Sequence, residues 1–199
     1  MIHLVTCIRH PASGFRCDPE HLDQQRAALN SWAAIGACVH ILARPGHVLW
    51  ADLAEELRRH PVAAQVDSDI LLLPEVVRVF DFIGSRDGPA WATSHRREFP
   101  PSAADPVREA APYHPPWGLS IFVGNKAFWE DFRGSKACGY SKLGVGDDNA
   151  VCSFGNKHHL ESGFDFSLFD CVFHPDHGGR IQKIGRASCR ERVSIQCRS

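Results

Sequence analysis

Residues 62–73 read VAAQVDSDILLL, and the predicted fold depends most on them. Its first five residues are mostly apolar or small, as in a short strand buried in a sheet. An Asp-Ser-Asp triplet at residues 67–69 follows directly, and Pro74 opens a helix that is expected to reach about Phe80. The stretch is therefore predicted to be a buried strand that ends in two carboxylates.

Two strand–helix units precede this strand. Strands are predicted over residues 2–8 and 38–42, because both runs are apolar and contain β-branched residues. Apolar positions recur at helical spacing over residues 21–35, with Gly36 placed to end that helix, and over residues 52–60. This β-α-β-α-β-α order predicts an α/β domain with a parallel sheet covered by helices.

The second half of the chain is less regular. Residues 117–124 indicate a strand and residues 126–132 a short helix, whereas residues 82–86 and 165–174 are weaker candidates for strands. A connector rich in proline and alanine covers residues 100–116. The sequence shows no internal repeat, so one domain is expected.

The composition is that of an ordinary globular domain, since 44% of the 199 residues are hydrophobic and 23% are charged. The formal charge is −1, without a block of like charge that would bind nucleic acid or a membrane surface. No apolar run approaches the roughly 20 residues of a membrane helix, and the amino-terminal apolar stretch is too short for a signal peptide. The default expectation is a cytoplasmic protein, or one in the lumen of the secretory pathway if an N-terminal anchor is missing.

The C-terminal stretch looks foreign to the domain. Residues 184–193 resemble the translated read-through of a sequencing-library adapter. We therefore expect the domain to cover residues 1–182, without its natural C-terminus, and residues 183–199 to be an artefactual, disordered tail. The six cysteines outside this tail match no zinc ribbon, which favours mostly buried thiols, or a disulfide or two if the protein is secretory.

Asp67 and Asp69 are the first candidates for chemistry. Ligands of open α/β sheets bind at the carboxyl ends of the strands, where these residues are expected to lie. Two carboxylates one residue apart can hold a hard divalent cation, which in turn holds a diphosphate. Because Asp-x-Asp is common by chance, a structural or solvated role is the alternative.

Two further polar clusters occur later in the chain. His174 and His177 follow a predicted strand and can add an imidazole ligand to the same cation, or they are solvated surface histidines. Their spacing is not that of a zinc metalloprotease. Asp147 and Asp148 follow a glycine-rich turn, where a carboxylate can approach a substrate, although turns favour aspartate in any case.

The order of short motifs along the chain carries a resemblance. The motifs are His3-Leu4-Val5-Thr6, Gln25, Leu29, Ser31-Trp32, Val39-His40-Ile41-Leu42, Val66-Asp67-Ser68-Asp69-Ile70-Leu71-Leu72, Ser94-His95-Arg96-Arg97, Trp117-Gly118-Leu119-Ser120-Ile121-Phe122, Trp129, Gly146-Asp147-Asp148-Asn149, Asp165-Phe166-Ser167 and His174-Pro175-Asp176-His177. In this order they resemble glycosyltransferase-like proteins with the GT-A fold, the fold of nucleotide-diphospho-sugar transferases. The resemblance covers nearly all of residues 3–180 and implies a GT-A-like (Rossmann-like), mostly parallel sheet flanked by helices.

The resemblance also implies a metal-dependent transfer of a sugar from a nucleotide-diphosphate donor to a small-molecule, glycan or protein acceptor. Mn²⁺ or Mg²⁺ would be the cofactor, because oxygen ligands with at most one imidazole suit these ions better than they suit zinc. Asp69, supported by Asp67, would hold the ion together with His174 or His177. The ion would then stabilise the charge that develops on the leaving diphosphate.

The resemblance gives roles to four further residues. Asp148, or less so Asp147, would be the general base on the acceptor hydroxyl if the enzyme inverts the sugar. Arg96 and Arg97 lie in the motif that closes over the sugar and are candidates for phosphate contacts, with ordinary surface arginines as the alternative. The donor base, the donor sugar and the acceptor cannot be read from these motifs.

Two features depart from the family pattern. Only residues 43–66 separate the second strand from Asp67, where the family usually places a further strand and helix that line the nucleotide pocket. Ser120 occupies a position that is acidic in the family. The short segment predicts weak donor binding, and it leaves a non-catalytic domain that keeps the fold as one alternative function. A metal-dependent hydrolase built on the cluster of Asp and His residues is the other.

Overall fold

The computed structural model describes the protein in five stretches, which are residues 1–7, 19–42, 48–111, 119–139 and 148–176. Side chains are described from residue 22 in the second stretch and from residue 150 in the fifth. Within these stretches the chain forms nine strands, β1 to β9, and six α-helices, α1 to α6. None of the helices described is both long and apolar enough to cross a membrane.

The strands fall into two sheets, and their bounds are β1 Ile2–Cys7, β2 Ala37–Leu42, β3 Val62–Val66, β4 Leu71–Leu72, β5 Trp91–His95, β6 Arg97–Phe99, β7 Leu119–Asn125, β8 Gly163–Asp165 and β9 Val172–Pro175. The helices are α1 Pro19–Ala34, α2 Trp50–Leu57, α3 Val76–Gly84, α4 Pro106–Glu109, α5 Lys126–Gly134 and α6 Asp148–His158.

The larger sheet has six strands in the order β2-β1-β3-β7-β5-β8. β1 pairs in parallel with β2 and β3, β5 pairs in parallel with β8, and β7 runs antiparallel to its two neighbours. The predicted α/β class with a mostly parallel central sheet is therefore confirmed. Successive side chains of β1 point to opposite faces, so that Leu4 and Val5 are fully buried in two different cores.

Helices cover both faces of this sheet. α1 and α3 pack on one face, in a core that includes Trp32, and α2, α5 and α6 pack on the other, in a core that includes Trp50 and Trp129. Two of these indoles donate hydrogen bonds to backbone carbonyls. Trp32 Nε1 donates to the carbonyl of Ile70 at 2.9 Å, and Trp129 Nε1 donates to that of Ala63 at 3.1 Å. Burying one large apolar side chain stabilises a fold by about 1.5–3 kcal/mol, so these two layers fix the sheet between them.

The smaller sheet has three strands in the order β4-β9-β6. The two shortest links between it and the larger sheet are residues 67–70, which connect β3 to β4, and Arg96, which alone connects β5 to β6. The register of β6 and β9 places His174 opposite Glu98. The smaller sheet therefore begins where β3 and β5 end, and it brings a late segment of the chain to those ends.

The predicted elements of the first half are confirmed with small shifts of their ends. The strand over residues 62–66 is β3, and the helix expected over residues 21–35 is α1, which begins two residues earlier and ends one residue earlier. Gly36 adopts a φ of 70°, as expected of a residue that ends a helix in the left-handed region. α2 begins at Trp50, because this indole packs edge-on against Phe132 of α5.

Two strand predictions in the second half are wrong. Residues 82–86 form the end of α3 and the turn after it, because Ile83 continues the buried face of that helix. Residues 165–174 are not one strand, since β8 ends at Asp165 and a 3-10 turn separates it from β9. In that interval Asp170 adopts a φ of 50°, a conformation that interrupts an extended strand.

The cysteines of the described stretches are all free thiols. Cys138, Cys152 and Cys171 are buried, as predicted, whereas Cys7 is half-buried and Cys38 is exposed. Burial raises the pKa of Cys138 to about 11 and that of Cys171 to about 12. Both thiols therefore stay protonated and unreactive at neutral pH.

Candidate functional site

The Asp-Ser-Asp triplet lies at the carboxyl end of β3. The Asp67 N–H donates to the carbonyl of Ser120 at 3.2 Å, and the Asp67 side chain accepts a hydrogen bond from Gln65 Nε2 at 3.2 Å. The serine of the triplet accepts a hydrogen bond from Gln25 of α1 at 3.0 Å. Hydrogen bonds from Gln65 and Gln25 thus hold the first two side chains of the triplet. Asp69, the third, is buried, with an exposed fraction of 7%.

Asp69 and His174 form a buried pair. His174 Nε2 lies 3.7 Å from Asp69 Oδ2, and the exposed fraction of His174 is also 7%. The two residues meet because β9 pairs with β4, and β4 begins two residues after Asp69. A buried carboxylate beside an imidazole at a strand end is a pair of ligand types that divalent cations take, which makes this pair a candidate for binding a cation.

The spacing of the pair suits a shared cation. Ligand atoms bind Mg²⁺ at about 2.0–2.1 Å, so two of them on one ion lie at most about 4 Å apart. The 3.7 Å between Nε2 and Oδ2 falls within that limit. In the part of the chain that the structure describes, no third imidazole, carboxylate or thiolate completes a group of three around the pair. A cation here needs further ligands from water or from a bound anion.

Glu98 and Arg96 extend this pair into a row of charges. Glu98 Oε1 lies 3.8 Å from His174 Nδ1 and 3.3 Å from Arg96 Nη2. Arg96 Nη1 donates to Ser120 Oγ at 2.6 Å, and Arg96 Nε is buried without a hydrogen-bond partner among the described residues. We call Asp69, His174, Glu98 and Arg96 the strand-end cluster.

Glu98 and Ser120 both contact Arg96. The Ser120 hydroxyl accepts from Arg96 Nη1, and Arg96 Nη2 donates to Glu98 Oε1. β6 therefore adds a carboxylate to the residues around this guanidinium. The sequence interpretation missed Glu98 because it predicted no strand there. The available signal was the spacing of two between Arg96 and Glu98, which puts both side chains on one face of an extended chain.

Arg97 points away from this row. Its Nη2 and Nε donate to the carbonyls of Ala110 and Ala111 at 2.7 and 3.0 Å, and its Nη1 lies 2.8 Å from Asp170 Oδ2. The guanidinium also lies over the ring of Phe173, 5.5 Å from its centroid. Arg97 thus holds residues 110–111 of the connector against the smaller sheet, and a phosphate contact from this residue stays a prediction.

Three predicted site residues are not placed in full. Asp147 and His177 lie outside the described residues. Asp148 is the first residue of α6, and its side chain lies outside them as well. The general-base role of Asp148 or Asp147 and a metal contact from His177 therefore stay predictions.

A second polar group lies at the carboxyl end of β5. His95 Nε2 lies 3.7 Å from Asp165 Oδ2, and the His95 N–H donates to Ser167 Oγ at 2.8 Å. The Ser167 hydroxyl in turn donates to the carboxylate of Asp165. These bonds fix β5 against β8 and the following turn, and so they position Arg96, the next residue along the chain.

Comparison with known proteins gives only weak likenesses. No protein-family model and no curated protein matches the chain. The structure is similar to a glycosyltransferase involved in the glycosylation of the major capsid of PBCV-1, with a TM-score of 0.45 and 9% identity over 87% of this chain and 92% of that one. It is also similar to a protein from Bacillus anthracis described as a glucose-1-phosphate thymidylyltransferase, with a TM-score of 0.46 and 9% identity over 98% of each chain. Likenesses of this strength carry no conclusion about the function of this chain.

Proposed function

We propose that this protein is a glycosyltransferase that uses a divalent cation to move a sugar from a nucleotide-diphosphate donor. The observation that supports it best is the strand-end cluster, in which a buried carboxylate and a buried imidazole lie side by side where β3 ends. Open α/β sheets bind their ligands at this edge. The order of motifs along the sequence, with its resemblance to GT-A glycosyltransferases, points to the same class of reaction.

Asp69 and His174 would hold Mn²⁺ or Mg²⁺, with Asp67 in support from the other end of the triplet. The cation supplies positive charge to the oxygens of the leaving diphosphate. The carboxylate of Asp69 attracts the cation more strongly than a neutral imidazole can, and this attraction is larger in a buried site than in water. We therefore expect Asp69 to matter more than His174.

Arg96 would contact the phosphates of the donor. Its side chain is only 18% exposed, and its Nε lacks a hydrogen-bond partner among the described residues. A phosphate at the exposed part of the guanidinium would accept a charge-assisted hydrogen bond from it. Glu98 keeps the guanidinium in place through the 3.3 Å contact and offsets part of its charge before the donor binds.

The acceptor side of the reaction rests on the sequence alone. Asp148, or Asp147, would remove the proton of the acceptor hydroxyl, and the acceptor would be a small molecule, a glycan or a protein. β2, the outer strand next to β1, precedes the short segment that opens one wall of the expected nucleotide pocket. We expect the donor dissociation constant to lie above the low micromolar range for this reason.

A calorimetric donor screen tests the proposal. Nucleotide-diphosphate sugars are titrated into the full chain with Mn²⁺ and with a chelator. One donor class should bind only with Mn²⁺, Asp69→Ala should abolish that binding, and His174→Ala should weaken it by about tenfold, which corresponds to about 1.4 kcal/mol. Asp81→Ala is the matched control, because this carboxylate on α3 is exposed. Donor binding that is equally strong in Asp69→Ala would contradict the proposal.

Product analysis separates the alternatives. A transferase releases nucleoside diphosphate at its full rate only when an acceptor is present, whereas a metal-dependent hydrolase needs only water. A non-catalytic domain binds the donor and releases nothing. A panel of simple sugars as acceptors, with chromatography of the nucleotide products, distinguishes these outcomes.

A further inference from the structure

A second group of metal-ligating side chains extends from the amino ends of β1 and β2, where His3 and Cys38 lie, to His40, the fourth of the six residues of β2. His3 belongs to β1, and Cys38 and His40 belong to β2. The parallel register places His3 opposite Cys38 and Val5 opposite His40. Because side chains alternate along a strand, the two histidines and the cysteine project from one face of the sheet.

The distances within this group are those of a metal site. The ligand atoms of His3, Cys38 and His40 all lie within 4.8 Å of one another, and His3 Nδ1 is 3.1 Å from His40 Nε2. Two nitrogens on a tetrahedral zinc ion, each about 2.0–2.1 Å from it, lie roughly 3.3 Å apart. The separation of the two imidazole nitrogens is therefore close to that of two ligands on one ion, and the exposed thiol of Cys38 can turn toward them.

Glu56 of α2 fixes the orientation of His40. Glu56 Oε1 lies 3.2 Å from His40 Nδ1, and the two side chains are only 17% and 25% exposed. A carboxylate only accepts hydrogen bonds, so Nδ1 of His40 carries its proton and Nε2 presents a lone pair toward His3. Metal-bound histidines commonly donate their second N–H to a carboxylate in this way.

His60 packs against the other side of the group. Its ring stacks on that of His3, with centroids 3.9 Å apart and an interplanar angle of 11°. Burial, followed by repulsion from His60 and His40, lowers the pKa of His3.

We propose that His3, Cys38 and His40 form a zinc site, with Glu56 as the residue that positions His40. A thiolate together with imidazoles favours Zn²⁺ over Mg²⁺ or Mn²⁺. Binding releases the thiol proton of Cys38 to solvent, while His3 exchanges its Nδ1 proton for one on Nε2. Three protein ligands leave a fourth position for water. The site ties β1 to β2 and, through Glu56, to α2.

Cobalt spectroscopy tests this assignment. The chelator-treated full chain is titrated with Co²⁺, and a thiolate-to-cobalt charge-transfer band with one equivalent bound is expected. Zn²⁺ should displace the cobalt and raise the melting temperature. Cys38→Ser should lose the band, and His3→Ala and His40→Ala should lose tight binding. Glu56→Gln should keep the band but bind about 10- to 100-fold more weakly, as expected for a positioning residue.

Controls keep the result specific. His158→Ala removes an exposed histidine of α6 and should bind cobalt as the wild type does, and circular dichroism of the metal-free variants reports on folding. His40, Glu56 and His60 form a second group whose ligand atoms lie within 4.8 Å of one another. Cobalt binding without the charge-transfer band, lost in His60→Ala and kept in Cys38→Ser, would overturn the proposal in favour of that group. The absence of metal binding would overturn both.

Discussion

The two ends of the larger sheet carry polar groups of different origin. At the carboxyl end, Asp69 and Arg96 come directly after strands, so their position follows from the order of elements and the fold class. At the amino end, His3 and His40 lie within strands and meet only because β1 and β2 pair in one register. A strand-end site can therefore be predicted from a local sequence pattern. A site inside paired strands can be predicted only when the pairing of the strands is known.

The largest expected effect is a reciprocal loss of two kinds of metal binding. Asp69→Ala should abolish Mn²⁺-dependent nucleotide binding and leave zinc binding unchanged, because the carboxylate belongs to the strand-end cluster alone. His40→Ala should abolish zinc binding and leave the nucleotide response unchanged. Calorimetry on both variants, with each metal, measures this directly. If either variant remained folded but lost both Mn²⁺-dependent nucleotide binding and zinc binding, the two sites would not be independent.

The two neighbouring arginines should respond differently to substitution. Arg97→Ala should lower the free energy of unfolding by about 1–2 kcal/mol, because it removes bonds to two carbonyls and a partly exposed carboxylate. Arg96→Lys should lower donor affinity about tenfold, because lysine lacks the planar fork that can meet a phosphate while the guanidinium keeps its contacts with Ser120 and Glu98. Urea denaturation and donor titration of both variants separate the effects, and a donor defect in Arg97→Ala alone would reverse the assignment.

A smaller effect concerns the pH dependence of stability in the metal-free protein. Folding lowers the pKa of His3 from its ordinary 6.5, through burial, His60, His40 and the amino terminus, against the opposing charge of Glu56. The unfolded chain therefore binds a proton more readily, so stability should fall as the pH drops below about 6.5. His3→Gln should flatten this dependence in melting curves recorded between pH 8 and pH 5.5, whereas His158→Gln should not. An unchanged slope in His3→Gln would contradict it.

The smallest effect is on thiol reactivity. Cys38 is exposed and should react with iodoacetamide at neutral pH, whereas Cys138 and Cys171, with pKa values of about 11 and 12, should react at least about tenfold more slowly. Zinc should protect Cys38 and leave the buried thiols unaffected. Peptide mass spectrometry after timed alkylation gives each rate, and equal labelling of Cys38 with and without zinc would weaken the case for the amino-end site.

The sequence predicted those strands of the sheet whose residues are nearly all apolar and buried. Residues 62–66 are buried on both faces, and the resulting apolar run identified β3 and the triplet after it. β5 was missed because Thr93 and Ser94 are polar but buried, with Thr93 Oγ1 donating to the carbonyl of Ile121 at 2.9 Å. A hydroxyl that is satisfied in the interior cannot be told from a surface hydroxyl by pattern alone.

The candidate site was likewise predictable only in part. His174 could be placed near Asp69 because both were assigned to strand ends, even though the predicted strand before His174 proved to be two strands and a turn. Glu98 and the separation of Arg96 from Arg97 depended on β6, a three-residue strand with no apolar run. His3, His40 and His60 are far apart in the sequence, so only the pairing of strands and the packing of α2 reveals their contact.

The links between the two sheets have a mechanical consequence. Asp69 lies on residues 67–70, which link β3 to β4, and Arg96 forms the link between β5 and β6. His174 belongs to the smaller sheet. A donor and cation that bound all three residues would connect the smaller sheet to the larger one and would restrict the motion of β9. Amide hydrogen exchange in β9 should then slow when donor and Mn²⁺ bind together, while exchange in the outer strand β2 should stay the same.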